Sequence, residues 1–214
     1  MNDAEPVVFI VDDDPRIREA IAELLASHGM RSVTFTSAGE YVRAEKIDAP
    51  ACLILDVELP DINGLDLQRQ IAGVDHPPIV FITGHGDIPS SVRAIKHGAV
   101  DFLTKPFSDE ALMSAIGAAL AEDLRVRAER ADAAQLQQRY DDLTPRERDV
   151  MPLVVSGLLN KQAAAELGIS EVTLQMHRRS IMQKMRAASL ADLVRMAERL
   201  RIPITHSRHG EGRP

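Results

Sequence analysis

Five side chains that could do chemistry stand where short apolar runs stop. Val7 to Val11 runs into Asp12-Asp13-Asp14, and Leu53-Ile54-Leu55 into Asp56. Ile79 to Ile82 meets Thr83, and Phe102-Leu103-Thr104 meets Lys105. Short apolar runs bounded by Gly, Pro or Asp read as buried strands. An ionised carboxylate at the end of such a strand is costly unless a partner compensates it. Carboxylates crowded together also raise one another's pKa unless a cation lies among them. Oxygen-only donors in an incomplete cage favour a hydrated Mg²⁺ over zinc. With Mg²⁺ bound, Asp56 is free to attack phosphorus as a carboxylate nucleophile and form an acyl phosphate. Lys105 and the Thr83 hydroxyl would then hold the phosphoryl oxygens. The plainer alternative makes each aspartate a helix cap or loop residue, which suits Asp14 ahead of Pro15.

The elements that must carry these residues alternate. Pro15 opens a helix with Ile17, Ile21, Leu24 and Leu25 as its apolar stripe, and His28-Gly29 closes it. A strand at 33–35 follows, then a helix capped by Ser37 over 38–46, the strand at 53–55 and a helix near 64–72. The strand at 79–82, a helix near 89–97 and the strand at 102–104 complete the front half. This order predicts a doubly wound, five-stranded parallel sheet of the α/β class. In such sheets the working crevice lies beyond the carboxyl ends of the strands. Asp12, Asp13, Asp56, Thr83 and Lys105 all fall there.

The 214 residues allow one large domain or two small ones. Neither a twenty-residue apolar span nor a cleavable signal pattern is present, so a cytoplasmic protein without membrane contact is expected. The single cysteine, Cys52, precludes an internal disulfide and reads as a buried, inert thiol. The net charge of -7 hides an asymmetry. Through Glu122 there are 9 Lys/Arg against 20 Asp/Glu; from Asp123 onward there are 16 against 12. An acidic front and a basic back suggest two tasks, with any nucleic acid held by the back.

From Ala118 to Thr144 there is no Gly or Pro, which favours a long helix continuing outward from the front half. Leu112, Ile116, Leu120 and Leu124 form an early seam, and Asp123 with Arg127 is a favourable i,i+4 pair. Thr144-Pro145-Arg146-Glu147 is a capping box, and Pro152 falls inside the helix it opens. Asn160 caps a short helix that Gly168 stops, and Ser170 caps a third running to about Arg186. Ser189 caps a fourth, striped by Leu190, Leu193, Val194, Ala197 and Leu200. The arrangement is a helix-turn-helix. On the third helix Leu174, Ile181 and Met185 face a core, while Val172, Gln175, Met176, Arg179 and Gln183 face away. That outer face suits a major groove: Arg179 for guanine, Gln175 for adenine, Met176 for a thymine methyl. Lys161, His177, Arg178 and Lys184 are placed for phosphates. The alternative is a solvated basic face.

Val11-Asp12-Asp13-Asp14-Pro15, Asp56 with Pro60 and Gly64, Thr83-Gly84-His85-Gly86-Asp87 and Asp101-Phe102-Leu103-Thr104-Lys105-Pro106-Phe107 resemble a response-regulator receiver domain, flavodoxin-like in fold. The resemblance implies that Asp56 accepts phosphate from a sensor histidine kinase. It implies Mg²⁺ bound by Asp13 directly, by Asp12 through water and by the Glu58 backbone carbonyl. It further implies a cis Lys105-Pro106 peptide and a switch made of Thr83 and Phe102. Glu58 and His85 flank the site and are expected to tune acyl-phosphate hydrolysis by positioning water; otherwise they are two exposed loop residues.

Leu143-Thr144-Pro145-Arg146-Glu147-Arg148, Asn160-Lys161-Gln162-Ala163-Ala164 and Ile169-Ser170 with Thr173 and His177 resemble the LuxR-type effector domain. The chain as a whole is similar to transcription regulators of the NarL/FixJ family. The expected plan is a receiver at 1–122, a helical linker at 123–142, an all-α four-helix DNA-binding domain at 143–204 and a disordered tail at 205–214. The implied regulator is a monomer at rest that pairs on phosphorylation and binds promoter DNA, with RNA polymerase a further partner. Gln175 departs from the family pattern, so its base preference does not transfer; Leu158-Leu159 and Pro152 depart as well, so the local helix geometry does not transfer either. Two alternatives stand beside this reading: a regulator that binds DNA regardless of phosphorylation, and an aspartyl-phosphate phosphatase using Asp56 and Glu58.

Overall fold

A computed structural model describes residues 5–45, 47–73, 75–84 and 88–203. It divides the chain into two units, Met1–Ala128 and Glu129–Pro214. In the first, β1 (Val7–Val11), β2 (Arg31–Phe35), β3 (Ala51–Asp56), β4 (Ile79–Thr83) and β5 (Asp101–Thr104) form a parallel sheet in the order β2-β1-β3-β4-β5. Val11 lies beside Phe35 and Leu55, Asp56 beside Ile82, and Thr83 beside Thr104. These registers bring the polar strand ends to one edge of the sheet.

Side chains alternate across a strand, so each strand feeds two cores. Val7, Phe9, Val11, Leu53, Leu55 and Phe81 pack with Ala38 of α2 (Ala38–Arg43), Leu67 of α3 (Gly64–Ile71) and Ala94 of α4 (Ile88–Lys96). Val8, Ile10, Cys52, Ile54, Val80 and Ile82 pack with Ile21 and Leu25 of α1 (Pro15–Ser27) and with Leu112, Ala115, Ile116 and Ala119 of α5 (Asp109–Asp141). Both faces are covered, which is why these strands read as continuous apolar runs.

Asp14, Ser37 and Asn63 each accept a backbone N–H at the start of α1, α2 and α3. Helix α2 is shorter than the expected 38–46. Ala44 has left the helical region, and the chain must extend through Ala49-Pro50 to enter β3. The expected seam on α5 is also rotated: Leu112 and Ile116 are buried, but Leu124 is 52% exposed. Each four-residue step overshoots a full helical turn by about 40°, so the buried stripe passes to Ala119 and then to Asp123.

Asp123 does more than stabilise its own helix. Its carboxylate accepts the Ala51 backbone N–H at 2.9 Å and the Arg127 Nε–H at 2.7 Å. Arg127 Nη1 reaches on to Asp48 at 2.8 Å. The first amide of β3 is thereby satisfied by a side chain from α5 rather than by a neighbouring strand.

The second unit takes the end of α5, whose Leu136 joins a core with α6 (Pro145–Val155), α7 (Asn160–Leu167), α8 (Glu171–Met185) and α9 (Leu190–Arg199). Thr144 and Glu147 form the expected reciprocal cap. Helix α6 continues through Pro152. Gly168 ends α7 at φ 63°, a left-handed conformation that glycine adopts without strain. One cap differs from expectation. Leu159, not Asn160, precedes α7, and its N–H is satisfied by Gln162 Oε1 at 2.9 Å. The Asn160 amide is spent elsewhere, accepting from Arg178 Nη1 at 3.0 Å. The expected disordered tail lies outside the described residues.

Replacing Asp123 by Ala strands the Ala51 amide in a buried setting and should destabilise the first unit by about 1–3 kcal/mol. Arg127→Ala, at a half-exposed pair, should cost about 1 kcal/mol or less. Urea unfolding of the two variants beside wild type measures both.

Candidate functional site

At the carboxyl edge of the sheet, one ammonium lies between two buried carboxylates. Lys105 Nζ donates to Asp12 Oδ2 at 2.6 Å and to Asp56 Oδ2 at 2.8 Å. Asp12 is fully buried and Asp56 nearly so, while Asp13 is exposed. Asp12 Oδ1 accepts the Asp14 N–H at 2.8 Å, and Asp56 Oδ1 accepts the Glu58 N–H at 3.2 Å. Burial raises the pKa of the Asp12 carboxyl, and the Lys105 hydrogen bond only partly offsets it. For Lys105 burial opposes the charge, but the bonds to Asp12 and Asp56 outweigh it and raise its pKa.

The backbone holds this arrangement closely. Gly64, the first residue of α3, leaves no room for a side chain: a Cβ there would lie 2.3 Å from the Asp56 carbonyl oxygen. Its N–H donates to the Val57 carbonyl at 2.9 Å. The loop after Asp56 is fixed a second time by Asp61, which accepts the N–H groups of Ala38 at 3.3 Å and Gly39 at 2.8 Å. Arg18 Nη1 donates to the Asp12 carbonyl at 2.6 Å. Reading the sequence did not find Arg18 or the role of Asp61. Arg18 is one turn beyond Asp14 and so detectable in principle; Asp61 is 22 residues from Gly39 and carries no local signal.

Thr83 is fully buried at the end of β4, and its carbonyl accepts the Lys105 N–H at 2.8 Å. Phe102 is half-buried, its ring 6.1 Å from that of Phe81. The Lys105-Pro106 peptide is cis. Glu58 is exposed beside Asp56. His85 lies outside the described residues. Asp12, Asp13 and Asp56 each place a carboxylate oxygen within 4.8 Å of the others. Three carboxylates facing one ammonium keep anionic capacity, and all the donors are hard oxygens, so the residues fit a divalent cation. Cys52 is inert: burial pushes its thiol up to about 12.

In the second unit, Leu174, Ile181 and Met185 of α8 are buried, while Val172 and Met176 are 68% and 69% exposed. Gln175, Arg179 and Gln183 are exposed as well, and Lys161 is exposed on α7. Thr173 and His177 are half-buried, Thr173 Oγ1 lying 2.8 Å from the Ser170 hydroxyl. Arg178 holds Asn160. Lys184 donates to Glu147 Oε2 at 2.7 Å and to the Asp142 carbonyl at 3.3 Å. Glu147, almost fully buried, also accepts from the Ser180 hydroxyl at 2.6 Å. Burial alone would raise its pKa, but Lys184, Ser180 and the Thr144 N–H outweigh it and lower the carboxyl to about 2.

The family model for the response regulator receiver domain matches residues 8–117. The model for bacterial regulatory proteins of the luxR family matches residues 141–197. Nodulation protein W of Bradyrhizobium diazoefficiens is 48% identical over 94% of this chain and 89% of its own length. This chain belongs to the response-regulator family, of the FixJ type. The transcriptional regulatory protein FixJ of Azorhizobium caulinodans is 40% identical over 89% of this regulator and 90% of its own length. The solved structure of the response regulator StyR, 45% identical, covers 91% of this regulator and 99% of its own chain with a TM-score of 0.80. The regulator thus joins a receiver to a LuxR-type DNA-binding domain, and it belongs among transcription regulators of two-component systems rather than dedicated enzymes. Receiver domains generally use Mg²⁺ at an acidic pocket, and this regulator carries a cluster of Asp12, Asp13 and Asp56 whose oxygens could hold such an ion. Among the described residues, no helix is long and apolar enough to cross a membrane.

The Glu147 carboxyl has a folded pKa below its ordinary 4.5, so its stabilising effect is complete above that value. It is lost as pH falls from about 4.5 towards about 2, to a limit of about 3 kcal/mol. Protection factors of α6 and α8 amides, taken against the intrinsic exchange rate at each pH, should fall across that window in wild type, and much less steeply in Glu147→Gln.

Proposed function

We propose that this regulator is switched when a sensor histidine kinase transfers a phosphoryl group to Asp56. Modification then pairs two receivers, and two effector domains engage a two-fold promoter site. The observation that carries the reading is the placement of Lys105 Nζ 2.8 Å from one Asp56 oxygen. An ammonium already within bonding distance of the acceptor is where the charge of an incoming PO₃ group needs stabilising. In the transfer, an Asp56 oxygen forms the new O–P bond as the P–N bond of the kinase phosphohistidine breaks.

Mg²⁺ would be held by Asp13, by Asp12 through water, by Asp56 and by the Glu58 carbonyl. Bound, it neutralises charge among the carboxylates and the phosphoryl oxygens. The chain's own groups do the rest. Lys105 follows the phosphoryl oxygens, and the Thr83 hydroxyl moves to donate to one of them. Phe102 turns further in towards Phe81. Glu58 and His85 tune hydrolysis by positioning water. In the effector, Arg179, Gln175 and Met176 read base edges, with Val172, Thr173 and Gln183 along the same face of α8. Lys161, His177 and Arg178 contact phosphates, and Lys184 has one ammonium proton left to reach the rim. Residues 1–122 form the receiver, 123–142 the linker, 143–204 the effector and 205–214 the tail.

With an acyl-phosphate donor and Mg²⁺, wild type should grow from monomer to dimer and tighten on promoter DNA. Asp56→Asn should do neither; an equal response from that variant rejects the mechanism. Equal phosphoryl-group lifetimes in wild type and Glu58→Ala would remove Glu58 from the tuning role. With about six to eight phosphate contacts per dimer, DNA affinity should fall about 10³-fold or more between about 50 and 200 mM salt. Arg179→Ala should cost about 1–3 kcal/mol and relax the preference at one base pair. Filter binding against a set of single-base operator variants reads both.

A further inference from the structure

The cleft between α3 and α4 carries more unspent hydrogen-bond donors than acceptors. It encloses about 290 Å³ and is lined by Asn63, Asp66 and Arg69 on one side and by Ser90, Arg93 and His97 on the other. Val57 and Leu65 add carbon to its wall. Arg69 commits Nη2 to Asp66. Arg93 gives Nε to the Pro89 carbonyl at 3.3 Å and Nη2 to Ser90 Oγ at 3.1 Å. Asn63 uses its oxygen to accept the Leu65 N–H at 2.9 Å. Nε and Nη1 of Arg69, Nη1 of Arg93 and the Asn63 amide nitrogen have no partner among the described residues. Against them stand one Asp66 oxygen and the ring of His97, whose Nδ1 lies 2.7 Å from the Arg93 carbonyl.

The charge balance agrees with the donor balance. This unit is strongly acidic, with only 9 Lys/Arg against 20 Asp/Glu through Glu122. Two of those nine cations nevertheless line opposite sides of one cleft, whose lining holds a single carboxylate, Asp66 on the Arg69 side. Guanidinium groups approaching from two helices repel each other until an anion lies between them. Each presents a planar fork that fits a carboxylate or a phosphate. The volume stands at the lower end for small-molecule sites, which begin at about 300 Å³.

We propose that this α3–α4 cleft binds a small dianion, a dicarboxylate or a phosphomonoester, gripped by Arg69 from α3 and Arg93 from α4. The buried bond from Gln68 Nε2 to the Ala94 carbonyl at 3.1 Å holds the same two helices together. The helices are therefore held in place before a ligand arrives, and binding has only to order the two exposed arginine side chains.

The test uses the isotopically labelled full chain in Mg²⁺-free buffer. Succinate and inorganic phosphate are the probes, and succinamide is the uncharged control. Saturable amide shifts at Asn63, Arg69 and Arg93 are expected with at least one dianion and not with succinamide. Succinate alone assigns the class to dicarboxylates, phosphate alone to phosphoesters, and both to dianions in general. Arg93→Ala should weaken binding at least about tenfold, and Arg93→Lys, which keeps the charge without the fork, by less. The proposal is overturned by absent saturation, by equal shifts with succinamide, or by shifts centred on Asp13 and Lys105. An unchanged affinity in Arg93→Ala overturns it as well.

Discussion

One ammonium holds three strand ends in a common site. Lys105 follows β5, yet its side chain crosses the end of β4 to reach Asp56 on β3 and Asp12 beyond β1. Two carboxylates this buried would otherwise repel each other across a low-dielectric interior. The ammonium is itself kept charged by the pair it holds together. The Lys105 N–H to the Thr83 carbonyl anchors the root of that side chain to β4. The neighbouring devices serve the same geometry, with Gly64 passing flush against the Asp56 carbonyl and Arg18 holding the carbonyl of Asp12.

Much of this was legible because the strands are buried on both faces. Their apolar runs are continuous, and a charged residue where a run stops marks the sheet edge. The wheel of α8 was legible for the same kind of reason, since Leu174, Ile181 and Met185 repeat at helical spacing and are all buried. Where a partner was far away in the chain, the sequence carried no trace. Asp61 caps α2 across a loop, and nothing local distinguishes it from any turn aspartate. Asn160 looks like a cap but is drawn off by Arg178 on the next helix. Leu124 looked like a continuation of a seam because a repeat of four resembles helical periodicity over two turns, then drifts off the core.

The DNA-binding half uses buried polarity differently. Glu147 on α6 binds Ser180 and Lys184 on α8, while its own helix start is closed by Thr144. The inner polar side of the recognition helix is thus fixed to α6 and, through Arg178, to α7. Val172, Gln175, Met176 and Arg179 are left on the outer side. A helix held by directional bonds as well as by Leu174 and Ile181 keeps its rotation about its own axis, which decides which side chains a groove meets.

The bond from Asp123 to Ala51 bears on where this protein can be cut and rejoined. The receiver family match stops at residue 117, and alternation of strands and helices places the boundary near 122. A fragment ended at either point would lose the carboxylate that closes β3 at its first amide, on the strand that carries Asp56 at its last residue. Chimeras that graft a foreign output module should therefore place their junction beyond Arg127. Asp123 and Arg127, in what looks like tether, are by their bonds part of the sheet's foundation.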